Sequence, residues 1–570
     1  MSDLSARVRD WMAEDPDPRD SNELSVLLDR AGGDDGALRE LADRFSDRLH
    51  FGTAGLRGSI GAGPNRMNRA VVRATTAALA RYLAETRPGA AGEGVAVGCD
   101  ARHRSNELAD EATAVLAGAG FAVHRLEDRL PTPLLAFAVP HLGAAAGVMI
   151  TASHNPPGDN GYKLYLADGA QVVPPVDGEI EALIDEVGPL SSVPLAAVSG
   201  PLVRLHGAHL VEAYLDAVAT DELARPPAHA SGVLRVVYTP MHGVAGAVFV
   251  KALERAGYSA PLVVAAQAEP DPDFPTVAFP NPEEPGALDL ALDEARAVGA
   301  DLVVANDPDG DRLAIAVPDP GAVGGWRRLS GDEVGVLLGS YVLDACPRTS
   351  RRLVASTIVS SSMLEKIASA AGAVFVATLT GFKWIVRAAE AAPGSRFVFG
   401  YEEALGYAVG DAVRDKDGIG AALAFLGLAS RLASAGSGVL ARLDELAAAY
   451  GVHLSAQLSM RTATPEVLME RLRSRRPAAI AGDVVAEVLD LAAGVRWQAA
   501  LPPLPPADVL AYRLSSGDRV LVRPSGTEPK LKAYLEVVRP VAAGGVAAAR
   551  KEAASRLVEL EDGVHALVGS

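Results

Sequence analysis

Thr151-Ala152-Ser153-His154-Asn155-Pro156 follows the apolar run Gly147–Ile150 and leads into Asn160-Gly161-Tyr162-Lys163. A strand that ends in a polar loop presents a hydroxyl where a substrate can reach it. His154 beside Ser153 and Lys163 ten residues on can orient or activate that hydroxyl. A turn whose Ser and Asn bond the backbone has the same composition, and no Gly-x-Ser-x-Gly elbow of a serine hydrolase surrounds the serine. A second loop, Asn306-Asp307-Pro308-Asp309-Gly310-Asp311-Arg312, lies between the apolar runs Leu302–Ala305 and Leu313–Val317. Its three carboxylates, spaced i, i+2, i+4, repel one another unless a cation joins them, and hard oxygen donors suit Mg²⁺ or Ca²⁺ rather than zinc. An EF-hand is excluded, because its glycine would fall at Arg312 and its bidentate glutamate at Pro318.

Arg523-Pro524-Ser525-Gly526-Thr527-Glu528-Pro529-Lys530 joins two more apolar runs, Arg519–Val522 and Leu531–Val538. An Arg fork, two hydroxyls and the amides around a glycine make a phosphate cradle. No Gly-Lys-Ser/Thr is present, so a Walker-type loop is excluded. Gly400-Tyr401-Glu402-Glu403-Ala404-Leu405-Gly406 places adjacent carboxylates after a strand, where they can bond sugar hydroxyls; Asp415-Lys416-Asp417-Gly418 is close behind. Upstream, Thr380-Gly381-Phe382-Lys383-Trp384 offers an anion-binding lysine.

The elements that must position these loops alternate in α/β fashion. Gly94–Gly98, Ala146–Ile150, Leu234–Tyr238, Leu302–Ala305, Val374–Ala377 and Phe397–Phe399 read as strands, and Arg69–Glu85, Asn106–Ala117 and Leu288–Val298 as helices. Residues 1–45 read as helical, with a break at Asp15-Pro16-Asp17-Pro18 and a cap at Ser21-Asn22. Pro-rich seams lie at Ser191–Pro201, Pro318–Gly325 and Leu501–Pro506. The 570 residues suit about four domains. Hydrophobic residues at 49% and charged residues at 22% exclude wholesale disorder. A net charge of −18 argues against nucleic acid or an anionic membrane as partner, while leaving room for a locally basic site. Cys99 and Cys346 cannot make a disulfide framework and fit a reducing cytoplasm. The charged N-terminus is not a signal peptide, and Leu134–Ile150, interrupted by Pro140 and His141, reads as two buried elements rather than a membrane span.

Five segments in one order carry a resemblance: Phe51-Gly52-Thr53-Ala54-Gly55-Leu56-Arg57-Gly58, then Thr151–Asn155, Asp307–Arg312, Gly400–Glu403 and Arg523–Lys530. Gly98-Cys99-Asp100-Ala101-Arg102, Pro131-Thr132-Pro133 and Thr239-Pro240-Met241-His242-Gly243 fill the gaps. The set resembles the α-D-phosphohexomutase superfamily from about Trp11 to the C-terminus. Trp11–Pro18 and Thr378-Leu379-Thr380-Gly381-Phe382-Lys383-Trp384 resemble its phosphoglucomutase-2 and phosphopentomutase branch. The resemblance implies three similar α/β domains and a smaller C-terminal α+β domain around a central cleft. It divides the chain into a helical extension (1–45), a phosphoserine domain (46–200), a metal domain (201–322), a sugar domain (323–454) and a phosphate domain (455–570).

By the same resemblance Ser153 carries the phosphoryl group, and Asp307, Asp309 and Asp311 hold Mg²⁺ with a phosphoserine oxygen as a further ligand. Arg57, Lys163 and Arg312 neutralise charge, and Lys163, Lys416 and His154 are the proton carriers to consider. Arg523, Ser525, Gly526 and Thr527 hold the other phosphate; Glu402, Glu403, Thr380, Gly381 and Lys383 complete the substrate set. Many members have Ser where this chain has Ala404, so sugar choice does not carry across. The implied activity interconverts hexose 1-phosphate and hexose 6-phosphate, of glucose and also mannose, with glucose 1,6-bisphosphate as activator. Phosphopentomutase and glucose-1,6-bisphosphate synthase are the alternatives, and a monomer or homodimer is expected.

Overall fold

The computed structural model describes residues 2–52, 55–227, 234–348, 350–462, 464–525 and 530–569. The chain forms two compact units: Met1–Arg225 with Leu234–Ala314 and Ala412–Leu423, and Pro226–Val233 with Ile315–Asp411 and Ala424–Ser570.

The first unit opens with helices Ser2–Glu14, Pro18–Ala31 and Asp35–Arg44, closed around Val8, Leu24, Leu27, Leu41 and Phe45. The second of them begins before the cap expected at Ser21-Asn22. Pro18 presets the helical φ in its first turn, and the Asp17 side chain accepts from the Arg19 amide. A six-stranded sheet follows, in the order Leu56–Ser59, Asp159–Leu166, Ala146–Ile150, Val95–Cys99, Val123–Leu126, Val203–His206. Its last four strands run parallel and its first two antiparallel. Both central strands are buried along their whole length, as strands covered on both faces must be. Leu134–Ile150 does resolve into two buried elements, helix Thr132–Leu142 and strand Ala146–Ile150, separated by Gly143 at φ 67°. Parallel strands Val236–Thr239, Leu262–Val263 and Leu302–Ala305 lie side by side in a second, five-stranded sheet, with helices Gly246–Ala256 and Asp289–Val298 beside them. The aspartate-rich loop therefore leaves the carboxyl end of a parallel strand, where α/β proteins place their ligands.

In the second unit Ser330 and Glu333 close a capping box on helix Gly331–Ala345. Strands Val374–Thr378, Arg352–Thr357 and Arg396–Glu402 pair in parallel, and Gly406–Val409 returns antiparallel to the last of them. The tight return places Glu402 opposite Gly406 and takes Leu405 to φ 62°. The C-terminal sheet is antiparallel, in the order Val452–Arg461, Lys530–Arg539, Arg519–Pro524, Leu510–Leu514, Asp483–Asp490, Ala479–Ile480. Helices Pro465–Ser474 and Gly545–Gly569 cover it. Antiparallel, hairpin-connected strands replace the βαβ pattern here, which is the α+β character expected of the last domain. No single helix among the described residues is long and apolar enough to cross a membrane.

Candidate active site

Ser153 sits in the left-handed region at φ 54°, a conformation that costs a non-glycine residue and persists only where its surroundings impose it. They do so from both sides. Its amide donates to Thr151 Oγ1 at 2.9 Å, and Thr151 in turn donates to Asp100 Oδ2 at 2.6 Å. The buried Arg102 guanidinium donates to the Ser153 carbonyl at 2.6 Å and to the Pro156 carbonyl at 2.8 Å. Held this way, Ser153 Oγ donates to Asp307 Oδ2 at 2.7 Å and lies 3.2 Å from His154 Nδ1.

The aspartate loop is pinned as firmly. Gly310 at φ 73° makes its turn, where a Cβ would stand 2.9 Å from the Ala245 side chain and 3.1 Å from that of Pro131. Thr132 Oγ1 donates to Asp309 Oδ2 at 2.7 Å, and the Arg312 amide to Asp307 Oδ1 at 2.9 Å. Lys163 Nζ, fully buried, donates to Asp309 Oδ2 at 2.7 Å and Asp311 Oδ2 at 2.8 Å. Lys416 Nζ stands 3.3 Å from Asp311 Oδ2. Its loop is fixed by Asp415, which accepts from Tyr165 and Gln171, and by Asp417, which accepts from Tyr214. Arg57 reaches Asn155 Oδ1 at 3.2 Å. The first unit thus brings together Ser153, His154, Lys163, Arg57, Lys416, the three aspartates and Arg312.

The electrostatics separate the roles. Burial, then the charges of Asp309 and Asp311, push Asp307 well above the usual carboxylate range. Burial works the same way on Asp309 and Asp311, but Lys163 outweighs it and holds both below that range. Burial would lower Lys163, yet the two aspartates keep it above its ordinary value, so it is a fixed cation. Burial, then Arg312 and Arg57, drive His154 well below 6.5, so its imidazole is neutral. The carboxylate set fits a divalent cation. Asp307, Asp309 and Asp311 offer oxygens within 4.8 Å of one another, and the buried Oδ1 atoms of Asp309 and Asp311 have no hydrogen-bond partner among the described residues. Three hard oxygens with open positions match Mg²⁺ better than a soft metal.

The second unit holds the remaining candidates. Arg523 donates to Thr380 Oγ1, and Gly381 at φ 109° turns the chain into the short helix that carries the buried Lys383. The Ser525 amide donates to the Lys530 carbonyl at 2.8 Å. Gly526 and Thr527 lie outside the described residues. Glu402 ends a strand, and Glu403 Oε2 accepts from Ser360 at 2.8 Å and Thr357 at 3.0 Å. Burial first, then Glu402 and Asp332, push Glu403 up to about 7 from 4.5. The folded state binds this proton more tightly than the unfolded chain does. The stabilisation is therefore complete below about pH 4.5 and is lost as the pH rises through about 7. Glu403→Gln is expected to raise the unfolding temperature at pH 8.5, through roughly 2 kcal/mol, and to change it little at pH 5. Calorimetry at the two pH values checks this, and an equal gain at both contradicts it.

Asp100, Arg102, Thr132 and Thr151 had no role assigned from sequence, although Asp100-Ala101-Arg102 and Pro131-Thr132-Pro133 stood out as segments. The available signal was a paired charge, Asp-x-Arg, at the end of a wholly apolar strand, where burial demands a partner.

Known proteins resemble this chain over most of its length. Models of the phosphoglucomutase/phosphomannomutase family match four stretches: alpha/beta/alpha domain I over residues 48–189, domain II over 212–321, domain III over 330–450 and the C-terminal domain over 471–553. A probable phosphomannomutase of Haemophilus influenzae is 42% identical, over 82% of this chain and 93% of that protein. A probable phosphoribomutase of Schizosaccharomyces pombe is 38% identical, over 93% of each. The open-form crystal structure of pp63/parafusin, a phosphoglucomutase of Paramecium, shares the fold with a TM-score of 0.69. It is 18% identical, over 91% of this chain and 96% of that one.

Proposed function

The chain belongs to the phosphoglucomutase/phosphomannomutase family, enzymes that transfer phosphoryl groups on small phosphosugars, and from that premise we propose that it interconverts hexose 1-phosphate and hexose 6-phosphate through phospho-Ser153. The observation that carries this reading is the Ser153 hydroxyl, 2.7 Å from Asp307 in a buried carboxylate cluster clamped by Lys163. Phosphoryl transfer needs in-line positioning and neutralised charge more than covalent assistance. The clasped left-handed turn supplies the first, and Arg57, Lys163, Arg312 and Lys416 supply the second. In one half-reaction the phosphoserine O–P bond breaks as the sugar 6-hydroxyl oxygen forms its own. The 6-hydroxyl proton ends on the released Ser153 Oγ. In the other half-reaction Ser153 Oγ takes the 1-phosphoryl group as the O1–P bond breaks, and its proton passes by way of the neutral His154 imidazole, 3.2 Å away, to the sugar O1 oxygen. Asp307, Asp309 and Asp311 would hold Mg²⁺, which when bound offsets negative charge on the transferring group. Arg523, Ser525 and Thr527 grip the phosphate that is not reacting. Glucose 1,6-bisphosphate primes the serine as activator.

Arg523→Ala is expected to raise KM roughly ten- to a hundred-fold with kcat changed far less, since the fork binds ground and transition state alike. A fall in kcat at unchanged KM, read from initial rates, would contradict that role. A pentose reading, with ribose 1-phosphate as substrate, is favoured by the phosphoribomutase relative, whose match covers more of this chain than the phosphomannomutase match does. Ala404 leaves sugar choice open between them. Initial rates with glucose 1-phosphate, mannose 1-phosphate and ribose 1-phosphate decide. The hexose reading expects the highest kcat/KM on a hexose, and a tenfold lead for ribose 1-phosphate overturns it.

A further inference from the structure

The loop that clasps the nucleophile is itself held from the N-terminal helices. Asp17 and Asp20 are 2% and 3% exposed. Burying two carboxylates three residues apart is costly unless a cation meets them. Arg104 meets both. Its guanidinium donates to Asp17 Oδ2 at 2.6 Å and to Asp20 Oδ1 at 2.8 Å, from a backbone held at φ 62°. The apolar contacts of Leu24, Leu27, Leu41 and Phe45 would close the helical cluster without this fork.

The other face of the Arg104 loop grips the nucleophile segment. Arg102 binds the Ser153 carbonyl, and Asp100 accepts from both Thr151 and Ser105. Asn160 Nδ2 donates to the His103 carbonyl and to Ser105 Oγ, each at 2.9 Å, on the far side of the same segment. Six residues, 100 to 105, thus join an acidic pair on the extension to the backbone of Ser153. We infer that the N-terminal helical extension is a positioning element for phosphoryl transfer. Asp17 and Asp20, acting through Arg104, hold the clasp that keeps Ser153 in its strained, in-line conformation. This rests on Ser153 being the phosphoryl carrier.

The test uses the full-length chain, with Ser153 phosphorylated by glucose 1,6-bisphosphate. Transfer to glucose 1-phosphate and hydrolysis to inorganic phosphate are followed in wild type and in Asp17→Asn/Asp20→Asn. Loosening a reacting oxygen by a fraction of an ångström to an ångström costs up to about a hundredfold in rate. The variant is expected to lose roughly ten- to a hundred-fold in transfer rate per phosphorylated molecule, with KM within about two-fold and hydrolysis not reduced, so that the ratio of transfer to hydrolysis collapses. A merely structural role would lower the melting temperature and the folded fraction and leave that ratio unchanged. Arg104→Gly removes the fork at a position glycine adopts without strain and carries the same expectation if the double variant does not fold. A wild-type ratio in folded variants overturns the inference. Failure of the wild type itself to take phosphate on Ser153 overturns the phosphoserine reading, and the inference with it.

Discussion

Ser153→Ala is expected to lower kcat/KM by at least about four orders of magnitude while leaving phosphosugar binding within about three-fold. The substitution removes one oxygen, the only atom of the turn that would bond to phosphorus, and spares what shapes the turn. Asp100, Thr151 and Arg102 hold backbone or one another, not the hydroxyl. The alanine keeps φ near 54° at the backbone cost the serine already meets, so the turn is expected to retain its shape. Coupled-assay rates and calorimetric titration with substrate separate the two effects. Turnover within tenfold of wild type would mean that another group carries the phosphoryl.

Asp309→Asn is the second large effect. Asp309 Oδ2 receives both Lys163 and Thr132, while its Oδ1 is buried without a hydrogen-bond partner among the described residues. The amide keeps the shape, removes a negative charge and turns an acceptor into a donor that faces Lys163 or the cluster. Mg²⁺ affinity and rate should fall together: the Mg²⁺ concentration for half-activation is expected to rise about a hundredfold, and kcat/KM to drop by roughly two to three orders of magnitude. Rates across a Mg²⁺ titration check this. Wild-type Mg²⁺ dependence in the variant contradicts the assignment of the cluster.

The strands that bear these loops were legible from the sequence because burial on both faces writes continuous apolar runs, as at Ala146–Ile150 and Leu302–Ala305. The loops stood out because chemistry concentrates unusual residues: three aspartates in alternation repel one another unless positive charge joins them, as Lys163 and Lys416 do here. The start of the second helix was missed because a proline in the first turn and an aspartate before it outweigh a Ser-Asn pair further on. The clasp was missed for a different reason. Arg102, Arg104 and Thr132 act through partners distant in sequence, and nothing in a linear pattern tells Arg104 that Asp17 and Asp20 will stand beside it. Nor does net charge reveal a local field. Arg57, Lys163, Arg312 and Lys416 gather around the aspartates of a chain whose total is −18, while Lys383 and Arg523 belong to the second unit.

Intact-mass analysis of the purified protein after incubation with glucose 1,6-bisphosphate tests directly whether Ser153 carries the phosphoryl group. A species heavier by about 80 Da, the mass of one phosphoryl group, is expected, with fragmentation placing it on Ser153 and, when that group is isotopically labelled, its transfer to added hexose 1-phosphate. An unmodified mass, or phosphate on any other residue, would contradict that role.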